Sequence, residues 1–221
     1  MPQISRIYAK EDGNKNIMPL MLNVGKFQFI INSLIVVCFV VIGKHFISLW
    51  MGNEYINAYY GTLLVIIPGL FFNSLQIANT AIIVTKKVHI QAYIIIFIGI
   101  LNMICSCFLS KRYGVLGACL SICIVYTVRT ILYNFVYYKV MKIDIPYFIR
   151  KCYIKMMVPM ILAIGSGILI NIAIGVCTWF NVIVRASMVC LIYSILVILF
   201  GIDEEDRQNI RRVLSRNKNK E

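Results

Sequence analysis

The sequence predicts an all-α, polytopic membrane protein with about six transmembrane helices. Three observations predict it. Hydrophobic residues make up 60% of the 221 and charged residues only 14%, with a mean hydropathy of +0.82. A soluble domain of this length has no interior large enough to hide that much apolar surface. The apolar residues gather into six runs, each close to the roughly 20 residues needed to cross a bilayer. Lys and Arg are divided very unequally among the segments that join those runs.

Residues 1–26 open the chain as a cytoplasmic loop followed by an amphipathic lead-in. "MPQISRIYAKEDGNKNI" has no basic region leading into an apolar stretch and no small-residue cleavage site, so it reads as a loop rather than a signal peptide. The transmembrane domain is expected over 27–201, with spans at 27–43, 59–85, 91–109, 114–138, 156–175 and 180–201. Pro68 lies inside the second span and is expected to kink it, because proline removes a backbone hydrogen bond. Gly114 and Gly117 in "YGVLGA" are expected to let the fourth span approach a neighbour, and "GSG" at 165–167 to do the same for the fifth. Residues 202–221 form a basic tail. Asp203, Glu204, Glu205 and Asp206 precede its basic residues, the order a helix dipole prefers. Ile210, Val213 and Leu214 either rest on the membrane surface or belong to a solvated helix that only anchors orientation.

Direction follows from charge. Arg6, Lys10, Lys15 and Lys26, then Lys86 and Lys87, then five basic residues between 139 and 155, then six from Arg207 onward make seventeen on one side. Only Lys44, Lys111 and Arg112 lie on the other. The positive-inside rule places both termini of a multi-pass protein in the cytoplasm. A net charge of +13 also raises nucleic acid as a partner. The basic residues, however, sit in short stretches between apolar runs, with no groove of interleaved aromatics, so anionic membrane lipids are the expected counter-charge. Most of the eight cysteines lie within apolar runs, and of these only Cys119 and Cys123 share a helix face. His45 and His89 are distant from them, so free packing thiols are expected, with no metal site and no cofactor.

Polar groups inside the spans point to function. In the second span Thr62, Gly69, Asn73, Gln76 and Thr80 fall within an arc of about 60° at 100° per residue. Amide side chains are costly against lipid, so this stripe faces protein or water. It is either the wall of a polar cavity or interhelical packing in which Gly69 allows close approach. In the fourth span Arg129 lies ten residues before Lys139, about 15 Å along the axis and too deep to reach the headgroups easily. Tyr126, Tyr133 and Tyr137 flank it within about 80° of arc. Arg185, near the outer end of the sixth span, is expected to snorkel to the surface as an anchor. None of the nine acidic residues falls in a span. The charge of Arg129 is therefore met by carbonyls, by water, by a carboxylate outside these spans or by an anionic ligand, and a purely structural role stays open beside a functional one.

Taken together and in order, "MPQISRIYAK", "GKHFISLWMGNEY", "KRYGVLGACLS" and "LFGIDEEDRQNIRRVL" resemble the C-terminal half of bacterial Wzx-type polysaccharide flippases. These O-antigen and capsule transporters belong to the multidrug/oligosaccharidyl-lipid/polysaccharide exporter superfamily. The resemblance spans essentially the whole chain. It implies a partial MATE-like helical lobe in the bacterial inner membrane and a transporter, not an enzyme, that moves polyprenyl-pyrophosphate-linked oligosaccharide from the cytoplasmic to the outer leaflet for polysaccharide biosynthesis in the cell envelope. It makes Arg129, Tyr126, Tyr133, Tyr137, Asn73, Gln76 and Thr80 candidates for the substrate cavity, and the lipid-linked oligosaccharide the expected partner. On the family template the chain starts after roughly the eighth helix of a two-lobed protein. The expectation is a truncated piece, inactive alone, whose N-terminal lobe or a partner polypeptide completes the pathway. Two other readings are weaker. A drug or cation antiporter of the same superfamily is expected to place carboxylates within its helices, and an integral membrane enzyme of envelope synthesis needs clustered acids, histidine or metal. His45, Glu54, His89 and Asp144 are too scattered for that.

Overall fold

A single helix, α1, runs from Gly13 to Trp50 with Pro19 in its early turns. Its 38 residues extend about 57 Å, far more than one bilayer crossing requires. The lead-in before residue 27 is thus continuous with the first span. The protein is described here by a computed structural model, whose backbone covers residues 13–85, 87–173 and 178–201 and whose side chains cover 18–85, 87–172 and 178–201. The loop at 1–12 and the basic tail at 202–221 lie outside the described residues.

After a turn at Met51 and Gly52 and a short 3-10 turn at Asn53–Tyr55, the second pass is built from α2 (Ile56–Asn73) and α3 (Gln76–Val84). The helix continues through Pro68 and breaks six residues later, at Ser74 and Leu75.

The next helical stretch, Val88–Lys139, is divided by Gly114 at φ +59° and ψ −136°. Residues with a Cβ rarely adopt that backbone conformation, and glycine adopts it at no steric cost. The two arms, α4 (88–113) and α5 (115–139), fold back on each other. Ser121 Oγ faces the Asn102 carbonyl at 3.4 Å and Asn102 Oδ1 at 3.2 Å. Gly117 lies directly on the Leu109 carbonyl, where any Cβ would overlap it. Gly117 thus makes the close approach, while Gly114 makes the turn.

The chain then forms α6 (Ile145–Phe148), whose first turn is capped by the Asp144 carboxylate, a π-helical turn at Ile149–Ile154, and α7 (Lys155–Ala173). The last pass is α8 (Trp179–Leu196), which ends in a second π-helical turn at Val197–Gly201. Five helical stretches are long and apolar enough to cross a membrane. Because one of them folds back at Gly114, the described residues make six passes. The protein is an all-α polytopic fold, with no strand among the described residues.

Helix α1 is the central member. It runs antiparallel to α2, with Tyr59 hydroxyl donating to the Val40 carbonyl (2.9 Å) and Gly25 packed beside the Ser74 carbonyl. It runs antiparallel to α8, where Ser33 meets the Tyr193 hydroxyl and Phe46 lies edge-on to Trp179. It runs parallel to α7, with Gly167 against Val41 and the Asn171 amide donating to the Val41 carbonyl at 2.6 Å. Gly165 of the same "GSG" faces open space, so one glycine of the pair does the packing. Apolar association gains little inside lipid, so small residues that admit close backbone contact and interhelical hydrogen bonds carry this packing. The outward faces stay apolar, as Tyr93, Phe97, Met103 and Phe108 of α4 illustrate.

The ends of the bundle differ. Lys87 Nζ donates to the Val140 carbonyl at 3.1 Å, and Gly25, next to Lys26, packs on Phe148, so the basic connections share one end. Trp50, Phe46 and Trp179 gather at the other, an aromatic cluster of the kind found at a membrane–water boundary.

Candidate substrate site

The break in the second pass sets the site. The chain contains "FFNSLQ", in which Asn, Ser and Gln compete with helical hydrogen bonding through their own side chains. Leu75 N–H bonds the Phe72 carbonyl at 3.2 Å instead of closing an α-helical turn. The Phe71 carbonyl that this leaves is accepted into two other bonds, from Ser74 Oγ (2.9 Å) and from the Tyr153 hydroxyl (2.9 Å) at the foot of α7. The two hydroxyl oxygens also lie 2.8 Å apart; each carries one proton, so two hydrogen bonds are shared among the three contacts, and Ser74 is fully buried. The discontinuity is thus held by side chains from two passes, which serve the Phe71 carbonyl that the break releases.

Two residues before Ser74 on α2, Phe72 presents its ring to Arg129 of α5. The guanidinium carbon stands 4.1 Å from the ring centre and 5.7 Å from the centre of the Tyr133 ring. Phe72 and Tyr133 meet edge-on at 5.8 Å, and Tyr133 and Tyr137 lie 5.8 Å apart. Arg129 is half-buried. It forms no hydrogen bond or ion pair with any described residue; its contacts are aromatic faces.

The seven candidate residues divide. Arg129, Tyr133 and Tyr137 come together as one cluster on α5. Both tyrosines are 0% exposed, so they belong to the closed core of this state rather than to an open wall, and their hydroxyls bond no described residue. Tyr126 is half-buried one turn above Arg129, and no ring contact ties it to the cluster. Asn73 is exposed at the break, and Gln76 and Thr80 are half-buried on α3, where Thr80 hydroxyl returns to the Gln76 carbonyl (3.0 Å). The stripe is not a single face in space, because the break intervenes after Asn73. Thr62 lies near the opposite end of the bundle, in an open groove of about 630 Å³ between α2 and the 113–119 turn. A Cβ at Gly69 would meet no neighbour, so Gly69 makes no close approach.

Phe72 is the member sequence reasoning missed. It is an apolar residue beside a polar stripe, and only the partner helix reveals its role.

Arg185 corrects an expectation. It is 1% exposed and sits inside the bundle among α1, α7 and α8, with Nη1 donating to Asn171 Oδ1 at 3.4 Å. It is a buried structural group and not a snorkelling anchor. The Asn171 amide in turn holds the Val41 carbonyl, so Arg185 belongs to the polar seam joining three passes.

Among the described residues, no three His, Cys, Asp or Glu side chains are grouped to hold a metal ion. None of the described cysteines is in a disulfide. The sequence matches no family model and no curated protein, and the fold matches no solved structure.

Proposed function

We propose that the protein is part of a membrane flippase that carries polyprenyl-pyrophosphate-linked oligosaccharide across the bacterial cytoplasmic membrane for polysaccharide biosynthesis. Both termini are then cytoplasmic, and the basic end of the bundle faces the anionic inner leaflet. The family resemblance supplies the substrate class. The observation that carries the reading is Arg129, a cation within a membrane pass whose described neighbours are aromatic rings. A guanidinium at bilayer depth costs about 3 kcal/mol by insertion scales. Cation–π contact returns about 1–2 kcal/mol. The balance favours a further anionic partner, and no acidic residue lies within the apolar body of a span to provide one. A diphosphate headgroup crossing a low-dielectric path needs such a fixed charge, and a planar guanidinium can grip it through two hydrogen bonds at once.

The test is made in cells that depend on the transporter containing this chain for surface polysaccharide. Arg129→Gln should abolish surface polysaccharide at normal protein level in the membrane, and Arg129→Lys should keep part of it. Lys111→Gln, exposed near the 114 turn, serves as the control and should export normally. Normal export by Arg129→Gln would remove the assignment.

A further inference from the structure

We infer that α3 is a gate, hinged at Ser74–Leu75, which covers a diphosphate-binding site formed by the Tyr133 and Tyr137 hydroxyls beside Arg129. The identity of the ligand rests on the flippase reading; the motion does not.

Three observations converge. The hinge is already hydrogen-bonded as a hinge: the Phe71 carbonyl is served by Ser74, within the hinge, and by Tyr153 of a neighbouring pass, not by a residue of α3. Swinging α3 therefore strands no carbonyl there. Next, α3 is a nine-residue segment that meets the core containing both tyrosines through Ala78, Ala81 and Ile82. Two of the three are alanines, which interlock little, so separating this face costs chiefly the contacts of Ile82. Last, the far end is tied lightly. Thr85 Oγ1 reaches the Met141 thioether at 3.6 Å, a weak acceptor, and Lys87 Nζ reaches the Val140 carbonyl at 3.1 Å beyond it.

Behind this segment the Tyr133 and Tyr137 hydroxyls are buried with no partner among the described residues, as is the Oδ1 acceptor of Asn79 on the segment itself. A buried polar group without a partner is destabilising by about 1–3 kcal/mol. A state in which the hydroxyls donate to phosphate oxygens removes that cost. The gate opens toward the basic end, where a diphosphate would enter, and Arg129 stands at the inner limit of the site. Discontinuous helices border the midplane substrate sites of many transporters, where their ends and unwound backbone meet the ligand.

The test uses the full protein with its native cysteines replaced. Ala81→Cys reports the gate, and Ala78→Cys on the same segment serves if the first variant is poorly inserted. In inverted membrane vesicles a water-soluble maleimide should label either cysteine. Joining Thr85→Cys to Met141→Cys by a short bismaleimide should slow that labelling at least about tenfold, as expected when a local opening equilibrium is blocked. Absence of labelling without the cross-link, or labelling indifferent to it, overturns the gate. Farnesyl diphosphate should slow labelling and farnesol should not. Equal effects of the two, or no effect of either, overturn the diphosphate site. If deleting the gene leaves surface polysaccharide intact while labelling remains cross-link-sensitive, the flippase reading fails and the gate stands.

Discussion

Cys38 Sγ and Cys190 Sγ lie 3.5 Å apart where α1 crosses α8. The contact falls between the Ser33–Tyr193 hydrogen bond and the Phe46–Trp179 ring contact, so three points fix one antiparallel register along this seam. Mild oxidation of membranes with copper phenanthroline should join the two thiols, the oxidant taking the two electrons and two protons. Peptide mapping should then recover a 38–190 linked pair, and Cys38→Ser should eliminate it. Preferential linkage of Cys190 to Cys105 or Cys123 would contradict the register.

Arg185 and Arg129 should part company in stability. Replacing Arg185 by Ala empties a fully buried position and deprives Asn171 of a donor. Breaking a buried hydrogen-bonded charge costs about 3 kcal/mol, so Arg185→Ala should unfold well below the wild type in detergent. Fluorescence of Trp50 and Trp179 can follow the transition. Arg129→Gln removes a half-buried cation whose contacts are ring faces and should lower stability by about 1 kcal/mol. Equal losses at both positions would count against the difference in burial.

The hairpin between α4 and α5 depends on Gly117 more than on any glycine of the "GSG" motif that faces outward. Gly117→Val places atoms on the Leu109 backbone, whereas Gly165→Val enters open space. Overpacking costs about 1–3 kcal/mol and more where backbone must yield. Gly117→Val should therefore lower membrane abundance and thermal stability sharply, and Gly165→Val should leave both nearly unchanged.

Sidedness can be read by labelling single cysteines in intact cells. Cysteines placed at Gly52 and Arg112 should react with an impermeant reagent from outside, and one at Lys142 only after the membrane is opened. Reaction of Lys142→Cys in intact cells would invert the topology.

Much of this architecture can be read before any coordinate is known. Six apolar runs and seventeen basic residues on one side against three on the other are one-dimensional quantities, and the bilayer imposes both through length and charge. The tyrosines near Arg129 are also legible, since positions four and eight residues along a helix share a face. The break at Ser74 is partly written in "FFNSLQ", while Pro68, the louder signal, lies inside the helix six residues earlier. A proline within the transmembrane helix is accommodated here, while the hydroxyl pair of Ser74 and Tyr153 stabilises the break further on.

The sequence by itself determined the class of protein, the number of passes and the lack of acids in the apolar body of the spans. Only the tertiary structure decided which cation is enclosed and which is left to aromatic faces. Helical periodicity states which residues share a face, but not which helix that face meets. Arg185 stands close enough to a span end for its side chain to reach water. Packing of α1 and α7 closes that route and supplies Asn171 as a partner. Arg129 owes its place to Phe72, a side chain on another pass 57 positions earlier in the sequence. Burial and partnership are properties of pairs of helices, and the pairing depends on close contacts such as Gly117 on Leu109 and Gly167 on Val41 that no single helix contains.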